Sequence, residues 1–196
     1  MTSYDMIAIG ASWGGLSAIS TVLDGLPHEL DAAIVIAQHR GADTARGMFE
    51  QLLQRHVERP VCEPNDKTPV EPRHVYIAPP DYHLLVEDGH FSLSTEARVQ
   101  HARPSIDVLF ESVAEAYRER AVGIVLTGAN SDGARGLAAI KNTGGVAIVQ
   151  NPASAERSEM PDAALAATVA DAVLGLEDIP RFLYGLCCTP AMRGRA

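Results

Sequence analysis

The stretch Met6-Ile7-Ala8-Ile9-Gly10-Ala11-Ser12-Trp13-Gly14-Gly15 decides how this chain is read. Four apolar residues form a strand-like run, and the chain then turns through glycines into a helical pattern from Leu16. The spacing Gly10-x-Ser12-x-Gly14 fits a nucleophile elbow, in which a serine at the tip of a sharp strand-to-helix turn projects its hydroxyl above the sheet. Flanking glycines let the chain fold back without Cβ clashes. The same turn aims backbone N–H groups of a helix N-terminus at whatever the serine attacks. Ser12 is therefore a candidate nucleophile.

The competing reading of these glycines is a dinucleotide fingerprint, G-x-G-x-x-G after a first strand. Ser12 stands where that fingerprint needs its middle glycine. The second strand-like run, Ala33-Ile34-Val35-Ile36-Ala37, ends in Gln38-His39 and not in an acidic residue that could hold a ribose. A glycine-rich turn that only packs helix on strand is the remaining alternative.

Working outward, runs of Val and Ile alternate with helical patterns, which is the grammar of a parallel sheet. Strands are expected at Met6–Ile9, Ala33–Ala37, Gly123–Leu126 and Val146–Val149. Helices are expected near 16–23, 44–56, 106–120, 134–142 and 161–170, with a helical tail carrying Cys187-Cys188. Strands with apolar residues on both faces belong in a sheet covered on both sides. The Pro- and Gly-rich middle, residues 61–94, offers short strands at 74–77, 84–87 and 91–93, with a hairpin turn at Glu87-Asp88-Gly89-His90. The fold expected is α/β, doubly wound and mostly parallel, with a small antiparallel edge or flap from the middle of the chain. All 196 residues are read as one domain, with a flexible tail from about residue 188.

Composition narrows the partners. A net charge of −9, with 16 basic residues spread along the chain, lacks the footprint of a nucleic-acid binder. No basic segment leads into an apolar stretch at the N-terminus, and no run reaches the ~18 apolar residues of a membrane span. The chain is expected in the cytoplasm, without membrane insertion. Three cysteines, Cys62, Cys187 and Cys188, make neither a disulfide framework nor a zinc cage. No metal and no cofactor is expected.

In an open parallel sheet, ligands bind beyond the carboxyl ends of the strands. Three such ends supply a hydroxyl at Ser12, an imidazole at His39 and a carboxylate at Asp132, within Thr127-Gly128-Ala129-Asn130-Ser131-Asp132-Gly133. Acyl transfer needs these groups: a base to take the serine proton, and a carboxylate to orient the base and stabilise its cation. Among the seven histidines, His28, His56, His90 and His101 read as solvated, and His74 and His83 as structural, although His83 could reach a cleft. Asp31, Asp43, Asp81 and Asp107 are other carboxylates near loop ends, and the glycines at 128 and 133 favour Asp132, which has a second reading as the N-cap of a helix beginning near Gly133; the two roles are compatible.

Six collinear blocks now carry a resemblance: Gly10-Ala11-Ser12-x-Gly14-Gly15, Gln38-His39, Tyr76-Ile77-Ala78-Pro79, 103–110, 126–133, and Gly144-Gly145 through Asn151-Pro152. Together they resemble the catalytic domain of the chemotaxis receptor methylesterase family (CheB), over residues 5 to 187. The resemblance implies hydrolysis of glutamate methyl esters on cytoplasmic helices of chemoreceptors or a related signalling protein, with glutamine deamidation as a related activity. It implies Ser12 as nucleophile, His39 as base, Asp132 as orienting carboxylate, and the backbone N–H groups of Trp13 and Ala129 as oxyanion donors. Trp13 stands where the family commonly has threonine, Ala129-Asn130 where it has methionine and glycine, and Glu159 where it has a glycine before Met160-Pro161. Family members usually carry an N-terminal receiver domain, and this sequence begins directly at the catalytic strand, so either an excised piece or a stand-alone relative is expected, with the starting methionine favouring the latter. Arg46, Arg55, Arg98, Arg103 and Arg135 are candidates to line the approach. A catalytically altered interaction module of the same fold is the alternative, motivated by Trp13 and Ala129.

Overall fold

The computed structural model describes residues 4–41 and 44–187. The expectation of a flexible tail, and the reading of Cys188, lie outside the described residues.

In chain order the elements are β1 (Met6–Ala11), α1 (Gly15–Asp24), β2 (Ala33–Gln38), α2 (Met48–Leu53), β3 (Val61–Cys62), β4 (Val75–Ile77), β5 (His83–Val86), β6 (Phe91–Ser94), α3 (Ile106–Tyr117), β7 (Ala121–Val125), α4 (Ala134–Asn142), β8 (Val146–Gln150), α5 (Glu159–Ala167), β9 (Ala172–Leu174) and α6 (Ile179–Cys187). Seven strands form one parallel sheet in the order β3-β4-β2-β1-β7-β8-β9. The chain starts at the centre, winds outward through β2, then returns to the other side of β1 with β7. β1 and β7 therefore flank the reversal in strand order, where a crevice opens at the carboxyl ends.

Alternating residues of β1 face opposite layers. Met6 and Ala8 pack with Leu109, Phe110, Leu137 and Ala164 of α3, α4 and α5. Ile7, Ile9 and Ala11 pack with Ile19, Phe49 and Ile179 of α1, α2 and α6. All six residues of β1 are buried, as the doubly covered sheet requires. Among the described residues, no helix is long and apolar enough to cross a membrane.

The middle of the chain divides. β5 and β6 pair antiparallel as a separate two-stranded flap, with Glu87 N–H donating to His90 O at 2.9 Å across the turn. β4, by contrast, joins the main sheet parallel to β2, with all three residues buried. The helix expected over 44–56 is shorter: α2 starts after Gly47, whose φ of 78° lies in the left-handed region, and a 3-10 turn follows over 54–56. β3 and β9 were not expected from the sequence; each has only two or three residues.

Candidate active site

Ser12 follows the last residue of β1. Its N–H donates to Thr127 O at 2.9 Å, and the next strand end is tied in by His39 N–H to Ala11 O at 3.1 Å. Gly14 takes φ of 75° to turn the chain into α1, a conformation a side chain would strain. Gln38 joins the two strand ends further: its Nε2 donates to Ser12 O at 2.8 Å and to His39 O at 2.9 Å. The backbone thus brings residues 12, 39 and 127–132 to one crevice.

Of the three expected side chains, the structure brings two into direct contact. His39 Nε2 lies 2.7 Å from Asp132 Oδ2. Among the described residues the Ser12 hydroxyl makes no hydrogen bond, to His39 or to any other group. The ring's other nitrogen, Nδ1, faces the carboxamide of Asn130 at 3.2 Å.

Asp132 is fully buried and its carboxylate is saturated with donors. Oδ2 takes His39 Nε2–H and the Ile106 N–H at 2.7 Å. Oδ1 takes the Ser105 hydroxyl at 2.9 Å and the Asp107 N–H at 2.9 Å. Burial by itself pushes the carboxyl's pKa up, but the His39 contact and the N–H groups of Asp107 and Ile106 outweigh it and hold it below the ordinary carboxylate value. The carboxylate is ionised and accepts only, so the neutral imidazole carries its proton on Nε2 and its lone pair on Nδ1. The ring therefore faces its aspartate in the opposite sense to the chymotrypsin arrangement, where Nδ1–H faces the aspartate.

The N-cap reading of Asp132 is corrected. Gly133 is the N-cap of α4, with no side-chain cap bond, and Asp132 instead caps α3 by accepting Ile106 N–H and Asp107 N–H. Ser105, the N-cap of α3, accepts from Val108 N–H at 3.4 Å while its hydroxyl proton goes to Asp132. His83 is structural: it is buried, its Nδ1 accepts the Ser105 N–H at 3.2 Å and its Nε2–H donates to Ala97 O at 3.1 Å. Ser105, Gln38 and Asn130 are the site residues that position on a strand end did not single out. Ser105 carried one signal, a serine opening a helical pattern.

The backbone N–H groups of Trp13 and Ala129 find no protein acceptor among the described residues. Both residues are exposed, on the rim. Trp13 is 59% exposed, its indole N–H donates to Glu156 Oε1 at 2.8 Å, and the Arg157 guanidinium lies 5.7 Å from its ring centroid. Thr127 ties this rim to the loop: its hydroxyl accepts Arg157 N–H at 2.9 Å and lies 3.0 Å from Trp13 O. Gly128 is required by close approach, because a Cβ there would come within 2.9 Å of Ser12 Cβ and 2.5 Å of Met160 Cε.

A cleft of about 360 Å³ opens beside His39, with Arg98, Gln100, Arg103 and Asn130 in its walls. Arg98 and Arg103 both hold Asp81, at 2.9 and 2.8 Å. Of the other arginines named from sequence, Arg46 and Arg135 pair with Glu63 and Glu111, and Arg55 lines a larger cavity of about 1000 Å³ with His28 and His74, away from the strand carboxyl ends.

The family model for CheB methylesterase matches residues 7–183. A protein of Leptospira interrogans, named for protein-glutamate methylesterase and protein-glutamine glutaminase, is 47% identical over 94% of this chain and 95% of its own length. The Hahella chejuensis protein-glutamate methylesterase/protein-glutamine glutaminase 1 is 42% identical over 91% of this chain, which spans 50% of that protein. The crystal structure of the Thermotoga maritima CheB methylesterase catalytic domain superposes with a TM-score of 0.88 at 30% identity, covering 94% of this chain and 99% of that one. With the fold, the crevice and these relatives in agreement, the chain belongs to the CheB methylesterase family.

Proposed function

We propose that this chain is a cytoplasmic serine hydrolase that removes methyl groups from glutamate methyl esters on helices of chemoreceptor-type proteins. Ser12 Oγ attacks the ester carbonyl carbon as its proton passes to His39 Nδ1. The tetrahedral oxyanion is held by the N–H groups of Trp13 and Ala129. Collapse breaks the carbon–oxygen bond to the methoxy group, which leaves as methanol with the proton from His39. Water, deprotonated by the same nitrogen, then attacks the acyl-serine and releases the glutamate carboxylate and free Ser12. A glutamine side chain would follow the same course with ammonia leaving.

The observation that carries this reading is the 2.7 Å contact of His39 Nε2 with a buried, fully donor-satisfied Asp132, which leaves Nδ1 as the only basic ring nitrogen. Asp132 would also stabilise the imidazolium formed in the first step. The test is methanol release from a methylated receptor helix by the wild type and by Ser12→Ala. Loss of turnover in the variant supports the assignment; undiminished turnover overturns it.

A further inference from the structure

Asn130 lies two residues before Asp132 in the loop after β7, and its carboxamide spans two partners. Oδ1 accepts the Asp132 N–H at 3.0 Å, and Nδ2 stands 3.2 Å from His39 Nδ1. The first contact fixes the amide's orientation: a backbone N–H only donates, so the oxygen must face it and the NH₂ must face the ring. The second then needs a bare Nδ1, which is the nitrogen left without a proton by Asp132. Asn130 thus occupies the lone pair that the proposed reaction needs for the Ser12 proton. One lone pair serves one donor well, and the Ser12 hydroxyl is correspondingly without a partner among the described residues. Asn130 also lines the cleft with Arg98, Gln100 and Arg103, so a group entering there meets its carboxamide.

We infer that Asn130 is a positioning residue that seats His39 as the Nε2–H tautomer and holds Nδ1 off Ser12 until a hydrogen-bond acceptor entering the cleft draws the carboxamide away. The inference rests on the reading of Ser12 and His39 as nucleophile and base. Ser12 reactivity in the free protein is then set by how often the amide lets go of the ring. A side chain unable to reach Nδ1 raises that fraction by about two- to tenfold, the range a net hydrogen bond spans.

The experiment measures the rate at which a fluorophosphonate probe labels Ser12 in the whole chain, for the wild type, Asn130→Gly, Asn130→Ser and His39→Ala. Serine keeps an oxygen for the Asp132 N–H but cannot reach the imidazole, so it preserves the loop if the glycine variant does not fold. The expected result is labelling that is abolished in His39→Ala and accelerated about two- to tenfold in both Asn130 variants, with the melting temperature unchanged in the serine variant. The ¹⁵N resonance of His39 Nδ1 moves in those variants while that of Nε2 stays, a signature that a purely structural role would not give. Wild-type or slower labelling in folded Asn130 variants overturns the inference and leaves the hydrolase reading standing, because His39-dependent labelling of the wild type remains. No labelling in any of the proteins overturns both.

Discussion

Asp107 and Asp132 each cap the helix that the other one opens. Asp107, the second residue of α3, accepts Gly133 N–H at 2.9 Å and Gly136 N–H at 2.8 Å from the start of α4. Asp132, immediately before the N-cap of α4, accepts Ile106 N–H and Asp107 N–H from the start of α3. Both carboxylates are fully buried. Each satisfies orphan donors of a helix N-terminus and meets the positive end of its dipole, effects worth about 1 kcal/mol or more apiece. The proposed orienting carboxylate is thereby fixed by the packing of two helices, and any shift of α3 against α4 moves the partner of His39.

The two carboxylates respond oppositely to pH. Burial raises the pKa of Asp107 above 3.8, the neighbouring charge of Asp132 adds to the rise, and the N–H groups of Gly136 and Gly133 together with Arg135 oppose it. The native state therefore holds this proton more tightly than the unfolded chain. That contribution to stability is complete below 3.8 and is lost as pH rises through the raised value. Asp107→Asn cannot titrate, so urea unfolding at a series of pH values should show the variant gaining on the wild type as pH climbs from about 4 toward neutrality. Parallel stability curves would contradict this.

Ser105→Ala removes one of four donors to Asp132 and the cap on Val108. With the carboxylate less firmly held, kcat for ester hydrolysis should fall with KM little changed. Stability should drop by about 1.5–3 kcal/mol from the lost hydrogen bond to a charged group, together with about 1 kcal/mol from the lost cap. Steady-state kinetics with Ser105→Thr as the hydroxyl-retaining control decides between this and a purely structural effect.

Trp13→Ala deletes the exposed ring that reaches Glu156 and Arg157 but keeps the backbone N–H. Its expected signature is a several-fold rise in KM for the protein substrate with kcat within about twofold, as for an interaction made equally in ground and transition states. A collapse of kcat would instead mean that the ring shapes the oxyanion site.

Gly128→Ala forces a methyl group to within 2.9 Å of Ser12 Cβ and 2.5 Å of Met160 Cε. The Met160 end can give way, the serine cannot. Overpacking of this kind costs about 1–3 kcal/mol by thermal or urea unfolding. Adding Met160→Ala empties a fully buried side chain and leaves the serine contact in place, so it should not recover the activity.

The doubly wound sheet was legible because its strands are short Val/Ile runs and its helices carry apolar residues at helical spacing. Ser12 and His39 could be picked out by their place just past strand ends, since topology alone sends those ends to one crevice; Asp132, in the loop after β7, was one of several carboxylates near loop ends until the family resemblance singled it out. What the sequence did not disclose depends on tertiary approach. Asp107 and Ser105 look like ordinary first-turn residues until α3 is laid across the start of α4. Gln38 reads as a polar end to a strand until its amide is seen spanning two carbonyls. The contact of Asn130 with Nδ1 depends on a side-chain orientation set by one backbone N–H. The edge strands β3 and β9 are too short to give a periodic signal, and β4 joined the parallel sheet because both its faces are covered.

The enclosure of Asp132 divides the molecule's response to ionic strength. Its negative charge is balanced at contact distance by helix ends, a hydroxyl and an imidazole, with no room for counterions, so added salt leaves it untouched. Arg98 and Arg103 stand at an open cleft, where mobile ions screen charges beyond about 10 Å at 0.1 M. Because Asp81 already pairs both arginines and the chain carries a net charge of −9, salt should speed the encounter with an acidic target by screening like charges, while leaving turnover of the bound ester unchanged.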